Sequence, residues 1–454
     1  MSASDWNLIA SEVNRIWGSE AGPGLRLTKG EPWRISSTAA IGSASLEFNG
    51  PVWQIYVYRP TGADDYDVNA APSAIFLTGP FTQTGTVNTK RIARLKWSGS
   101  RTVADSSFAT NGGINLANGF QYSLQRMAKV PSTGDMLFCG ISSGATWLDG
   151  EGGVFWGANP TTGNRAFSPF SNVESLVPGI TDSVGYYGVA SYGDTIALAT
   201  GILENQYASG ITLYSTSGVP VEVSAGNYLF TDGASDSYFW LTSSPGVGYL
   251  FESKASGVAQ GTQPFVHQIT GTLSGGINFD ATWAANVVAG DEANRYVPPV
   301  FDSGRNYLMM TLSPTGWQDT GGVHYPVTPM SQIQVTGANR GLYIGDLSVI
   351  GLFDSMIPLS AGPTSTPYGS ADCIFQKSDQ TELHLYLDGF LTTLTVSNGD
   401  FNGVVVDAKY FRQRNDGTHQ IIVCGEFTEY KGEPAPYLVF IDQYGNRLSD
   451  LEWP

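Results

Sequence analysis

The sequence predicts an all-β protein: a β-propeller of about seven four-stranded blades, with six to eight allowed, behind a short N-terminal helix and arm. Three observations predict it. Nearly everything after residue 45 consists of short apolar runs separated by Gly, Pro, Asn, Asp and Ser clusters. One unit, an apolar strand, a tight turn and a more strongly apolar strand, recurs about every sixty residues. The chain holds 55 glycines and 12% aromatics but only 14% charged residues, which favours strands and turns over charged helix faces. A four-stranded blade cannot bury both of its faces alone. Stacking around a ring covers them, and closure leaves only short edges. A propeller joined to a sandwich is the structural alternative.

Residues 4–17 read as one amphipathic helix, capped by Ser4 and ended by Gly18. Trp6, Ile9, Val13, Ile16 and Trp17 fall on one face at helical spacing. Such a face packs on its own domain or docks on a neighbouring subunit. The expected boundaries are 1–45 for this helix and arm and 46–454 for the propeller.

The repeat unit reads "YSLQRMAKVPSTGDMLFCG" at 122–140 and "GYYGVASYGDTIALATG" at 185–201. Looser copies run at 227–242, 295–312, 371–387 and 409–425, and residues 52–79 supply another. Gly79, Gly140 and Gly201 are evenly spaced, and each is expected to end the second strand of its unit. "SGSR" at 98–101, "TGNR" at 162–165 and "YGNR" at 444–447 read as turns between third and fourth strands, with Gly99 and Gly445 at positive φ.

Composition bounds the function. The formal net charge is −17, and an acidic chain is repelled by phosphate backbones, so no specific nucleic-acid binding is expected. Three cysteines, Cys139, Cys373 and Cys424, cannot all pair and imply no disulfide framework. No basic start with an apolar run marks a signal peptide, and no window is apolar for long enough to span a membrane.

The motifs of chemistry are sparse. His267, His324, His384 and His419 form no metal-binding spacing. Asp64, Asp65, Asp67 and Asn69 offer oxygen ligands at alternate positions but lack the glycine and glutamate of a calcium loop. "WLDGEGG" at 147–153 and "SNGDFNG" at 397–403 read as turns. Trp147, Trp283 and Trp317 are candidates to stack on sugars, whereas Trp156 and Trp240 sit in strand-like runs. No catalytic, cofactor-binding or metal residue is expected, and no cofactor.

The stretch "IFLTGPFTQ…KRIARLKWSGSR…DSSF" at 75–108 resembles the delta-60 repeat, a bacterial and phage propeller unit. Gly79, Phe81, Arg91, Ile92, Ala93, Arg94, Leu95, Gly99 and Phe108 carry the resemblance, and Gly425, Phe427 and Gly445 carry it in the last copy. It covers about a third of the chain. It implies a propeller, with residues that build blades rather than a catalytic site. In architecture the chain is also similar to the tail nozzle propellers of short-tailed phages. The functional expectation is a non-enzymatic virion protein, made in the host cytoplasm without a signal peptide. It would form a multi-copy ring with neighbouring virion proteins, and its acidic surface or lumen would let DNA slide. Two alternatives are a surface propeller that binds a host glycan or receptor, and a polysaccharide hydrolase with paired carboxylates.

Overall fold

The computed structural model of this 454-residue chain describes residues 46–60, 70–89, 91–108, 127–129, 133–138, 158–164 and 400–454 with their side chains, together with the backbone of further strands. Among these residues, seven groups of antiparallel strands follow one another in chain order as up-and-down meanders, the second and third joined into one sheet by a parallel pairing of Gly152 with Val184. The first blade comprises Gln54–Tyr58, Ala74–Thr78, Ile92–Trp97 and Thr102–Ala104. The second comprises Leu124–Lys129, Met136–Ser142, Gly152–Ala158 and Arg165–Phe167. Three described strands make the third, Val184–Tyr192, Thr195–Ile202 and Ser209–Ser215. The fourth runs from Tyr238–Ser244 to Gly276–Phe279, the fifth from Val300–Asp302 to Tyr343–Asp346 and the sixth from Ser355–Pro358 to Phe390–Val396. The seventh comprises Val405–Gln413, His419–Gly425 and Leu438–Asp442.

The first strands of these sheets pack on one another in sequence. Gln54–Tyr58 lies against Leu124–Lys129, which meets Val184–Tyr192, and that strand meets Tyr238–Ser244. Val405–Gln413 then packs back on Gln54–Tyr58. Among the described residues the last group of strands therefore closes on the first, and the fold is a β-propeller with seven blades described. This is the predicted class.

Alternation within strands explains the stacking. In the first blade Ile55, Val57, Ile75, Leu77, Ala93 and Leu95 share one face and join a core with Phe411, Ile422, Cys424 and Phe440 of the last blade. Tyr56, Tyr58 and Phe76 share the opposite face and join a core with Met127, Met136 and Phe138 of the second. The first blade thus buries two faces that would otherwise meet water, each fully buried large side chain contributing about 2 kcal/mol.

Several expected hairpins are present in the expected place, including 124–142, 184–202, 300–310 and 405–425. Two differ in register. The fourth blade pairs Tyr238–Ser244 with Val247–Ser253, so the run at 238–242 is the first strand of its hairpin rather than the second. In the sixth blade the hairpin at 371–387 joins the second and third strands, because Ser355–Pro358 precedes it as the first. In both cases apolar runs of similar strength stand side by side, and pairing partners rather than composition decide the phase. Gly140 also lies inside its strand, Met136–Ser142, rather than at its end. The N-terminal helix, with Trp6, Ile9, Val13, Ile16 and Trp17, lies outside the described residues. Within the expected arm, Leu25–Thr28 pairs with Arg34–Ser37 as a hairpin.

Candidate functional site at the closing seam

Many of the described side chains lie where the last blade meets the first. Both blades are built on one skeleton, and two glycines show why. A Cβ on Gly79 would sit 2.2 Å from the Pro51 carbonyl oxygen, and one on Gly425 would sit 2.0 Å from that of Val404. Only glycine lets the entry to the first strand lie that close to the end of the second. Phe81 stacks edge-on against Phe48 at 4.8 Å, and Phe427 repeats this against Phe401 at 4.7 Å.

An asparagine in each blade ties the skeleton together. Asn49 Oδ1 accepts from the Thr82 and Gln83 amides at 2.9 and 3.0 Å, while its Nδ2 donates to Thr82 Oγ1. Asn402 makes the same bonds to Thr428 and Glu429. The tied segment continues as a two-stranded ribbon, Gln83–Thr84 with Val87–Asn88 and Glu429–Tyr430 with Glu433–Pro434. "FNG" at 48–50 and again at 401–403 is the signal that sequence reasoning missed. In isolation "SNGDFNG" shows turn composition only, and its partner appears only when both copies are read against G-x-F-T.

The predicted repeat residues fall as follows. Gly79, Phe81, Gly425 and Phe427 occupy matching places in the first and last blades, as do Gly99 and Gly445, at φ 97° and 74°. Gly140 and Gly201 lie in the second strands of blades two and three. These residues are not brought into one cluster; they are distributed around the frame.

Across the seam two side chains lock the inner strands reciprocally. Asp407 Oδ2 of the last blade accepts from the Ile55 amide of the first at 2.8 Å. Arg59 Nη2 of the first donates to the Phe411 carbonyl of the last, also at 2.8 Å. Both bonds are buried, where a charge-assisted hydrogen bond is strong and an unpaired partner costly. Lys129 of the second blade donates to the Arg59 carbonyl at 2.7 Å, so three consecutive inner strands are linked. Farther out, Asp105 is held by Arg94, Lys96, Ser107 and its own backbone neighbours. Burial raises its carboxyl pKa, but hydrogen bonds from Lys96 and Ser107 with the Arg94 charge outweigh that, and the net shift is downward.

Chemically, this is a set of fasteners. Burial and the nearby Asp407 charge push the Cys424 thiol well up, away from the reactive thiolate. Burial, then Asp400 and Asp442, push the Tyr430 phenol up, and its hydroxyl donates to the Gly445 carbonyl at 2.6 Å. Among the described residues there is no group of three or more His, Cys, Asp or Glu that could hold a metal, and no helix long and apolar enough to cross a membrane. The Asp64–Asn69 run, Trp147 and Trp283 lie outside the described residues. Trp317 lies in a short strand that pairs with Tyr325.

No family model matches the chain, and no curated protein does. Solved structures similar to it include a puromycin hydrolase, at 9% identity and TM-score 0.46, covering 95% of this chain and 57% of that one. Another is an auxiliary nutrient binding protein from Bacteroides ovatus, at 10% identity and TM-score 0.36, covering 83% and 67%. A third is a subtype N11 neuraminidase-like protein of A/flat-faced bat/Peru/033/2010 (H18N11), at 12% identity and TM-score 0.34, covering 95% and 96%. The chain spans little more than half the length of the hydrolase. Likeness this distant bears on no activity.

Proposed function

We propose that the chain is a non-enzymatic structural propeller of a phage virion, a multi-copy component of the tail or its nozzle, built of delta-60-like repeats. The observation that carries this reading is the use of buried charge. Arg59, Lys129, Asp105 and Asp407 are all buried, and the hydrogen bonds they make fasten inner strands or brace a blade. Charges committed to a frame suit a part that must keep its shape. The net charge of −17 adds a mechanism, since an acidic wall repels passing phosphates and does not grip them. Proteomics of purified particles with cryo-imaging tests the proposal. The expected result is a ring of this protein on the tail axis, and its absence from the particles rejects the reading.

One observation favours a second reading, a surface propeller that binds a host glycan or receptor. Trp317–Gln318 and His324–Tyr325 lie between the second and third strands of the fifth blade and form a three-stranded sheet with Val288–Ala289, which precedes that blade. Insertions of this kind commonly carry binding residues on a rigid scaffold. Glycan-array binding lost in Trp317→Ala would support it, and an array without signal would remove it.

A further inference from the structure

The seam between the last and first blades differs from a junction of consecutive blades in one respect. Blades one and two are joined by continuous polypeptide, but blade seven lies hundreds of residues from blade one along the chain. Among the described residues no backbone-to-backbone hydrogen bond crosses from 400–454 to 46–108. Closure there rests on apolar contact and on side chains.

The segment that follows the last strand supplies the outer fastening. It leaves the last blade through the turn at 444–447, and the Leu448 amide still bonds to the Phe440 carbonyl at 2.8 Å. It then crosses to the first blade. Asp450 accepts from the Thr102 amide at 2.9 Å and from the Thr102 hydroxyl. Trp453 donates its indole N–H to Thr102 Oγ1 at 2.9 Å while its ring packs edge-on against Phe411 of the last blade at 5.0 Å. Leu451 is buried in the shared core between the two blades. Glu452, near the far end, returns to blade seven, donating its amide to Gln420 Oε1 at 2.6 Å and accepting from the Asn415 amide and Arg414. The segment therefore stitches the two blades alternately, Leu448 and Glu452 holding blade seven, Asp450 holding Thr102 of blade one, and Trp453 touching both.

We infer that Leu448–Trp453 is a strap that holds the ring shut, and that the seam it crosses is where the propeller opens first. Local opening follows the part of a fold with the fewest constraints. Here the chain itself provides no covalent link, so the strap replaces one, raising the effective concentration of each blade at the other. The inner lock of Asp407 and Arg59 spans the same seam at the inner strands.

Native-state hydrogen exchange on the full chain tests this. The Ile55 amide reports the seam, because its acceptor is Asp407 and not the strap. The Thr82 and Gln83 amides report the same blade away from the seam, because Asn49 holds them. In Asp450→Ala, Ile55 is expected to exchange about ten-fold faster while Thr82 and Gln83 are unchanged. Trp453→Phe keeps an aromatic ring against Phe411 and loses only the indole bond, so it gives the same pattern at smaller amplitude and serves if Asp450→Ala fails to fold. Unchanged exchange at Ile55, or equal acceleration at all three amides, overturns the inference.

Discussion

The first and last blades carry the same skeleton and differ in what fills it. Gly79 and Gly425, Phe81 and Phe427, and Gly99 and Gly445 are separated by one constant offset, and each pair does one job. At the same offset Arg94 becomes Phe440 and Asp105 becomes Leu451. The first blade therefore braces its outer strands with a buried ion-pair cluster, whereas the last places apolar side chains in the seam core. The ribbon differs too. Tyr430 and Lys431 both donate to the Gly445 carbonyl. The matching Thr84 hydroxyl is buried without a partner. Backbone approach is the invariant part of the repeat, and the chemistry hung on it is free to vary.

The sharpest way to break the comparison is at the paired glycines. Gly79→Ala and Gly425→Ala should each destabilise by about 3 kcal/mol in denaturant unfolding, because a new Cβ meets a backbone oxygen that cannot step aside. Equal losses mean that the two blades share their constraint. A loss at one position alone would show that one blade relaxes. Next come Asn49→Ala and Asn402→Ala, each removing three hydrogen bonds. About 2 kcal/mol apiece is expected, additive in the double variant because the two share no partner.

Gly99→Ala and Gly445→Ala should cost about 1 kcal/mol each from strain at positive φ. Gly99 has open space around it, so its loss isolates the backbone effect. The smallest effect expected is the pH dependence that the buried Asp105 of the first blade contributes. The folded pKa of Asp105 lies below its unfolded value. Its contribution is therefore complete above the unfolded carboxyl pKa and is lost as pH falls through the folded one. Asp105→Asn should flatten that acid limb, while Leu451→Ala in the last blade should leave its shape unchanged.

The propeller was legible because its causes are local and periodic. "IFLTGPFT" and "IIVCGEFT" each combine alternating burial, a glycine at a forced approach and a phenylalanine that fills the turn, and these can be read from neighbours in sequence. The phase of the fourth and sixth blades was not legible, because strands such as Ser355–Pro358 have no feature of their own and exist by pairing. Asn402 was read as part of a turn and Asn49 was not singled out, since the partners of Asn49 and Asn402 lie 33 and 26 positions away.

By itself the sequence determined the repeat, the all-β class and the glycines that every such blade needs, because hydrophobic period and backbone freedom act within a few residues. Only the tertiary structure decided which blade meets which across the seam, and that Asp407, Arg59, Asp450 and Trp453 fasten it. Those contacts join segments some 350 residues apart, and a bond across that distance leaves no mark on either neighbourhood until the ring is closed.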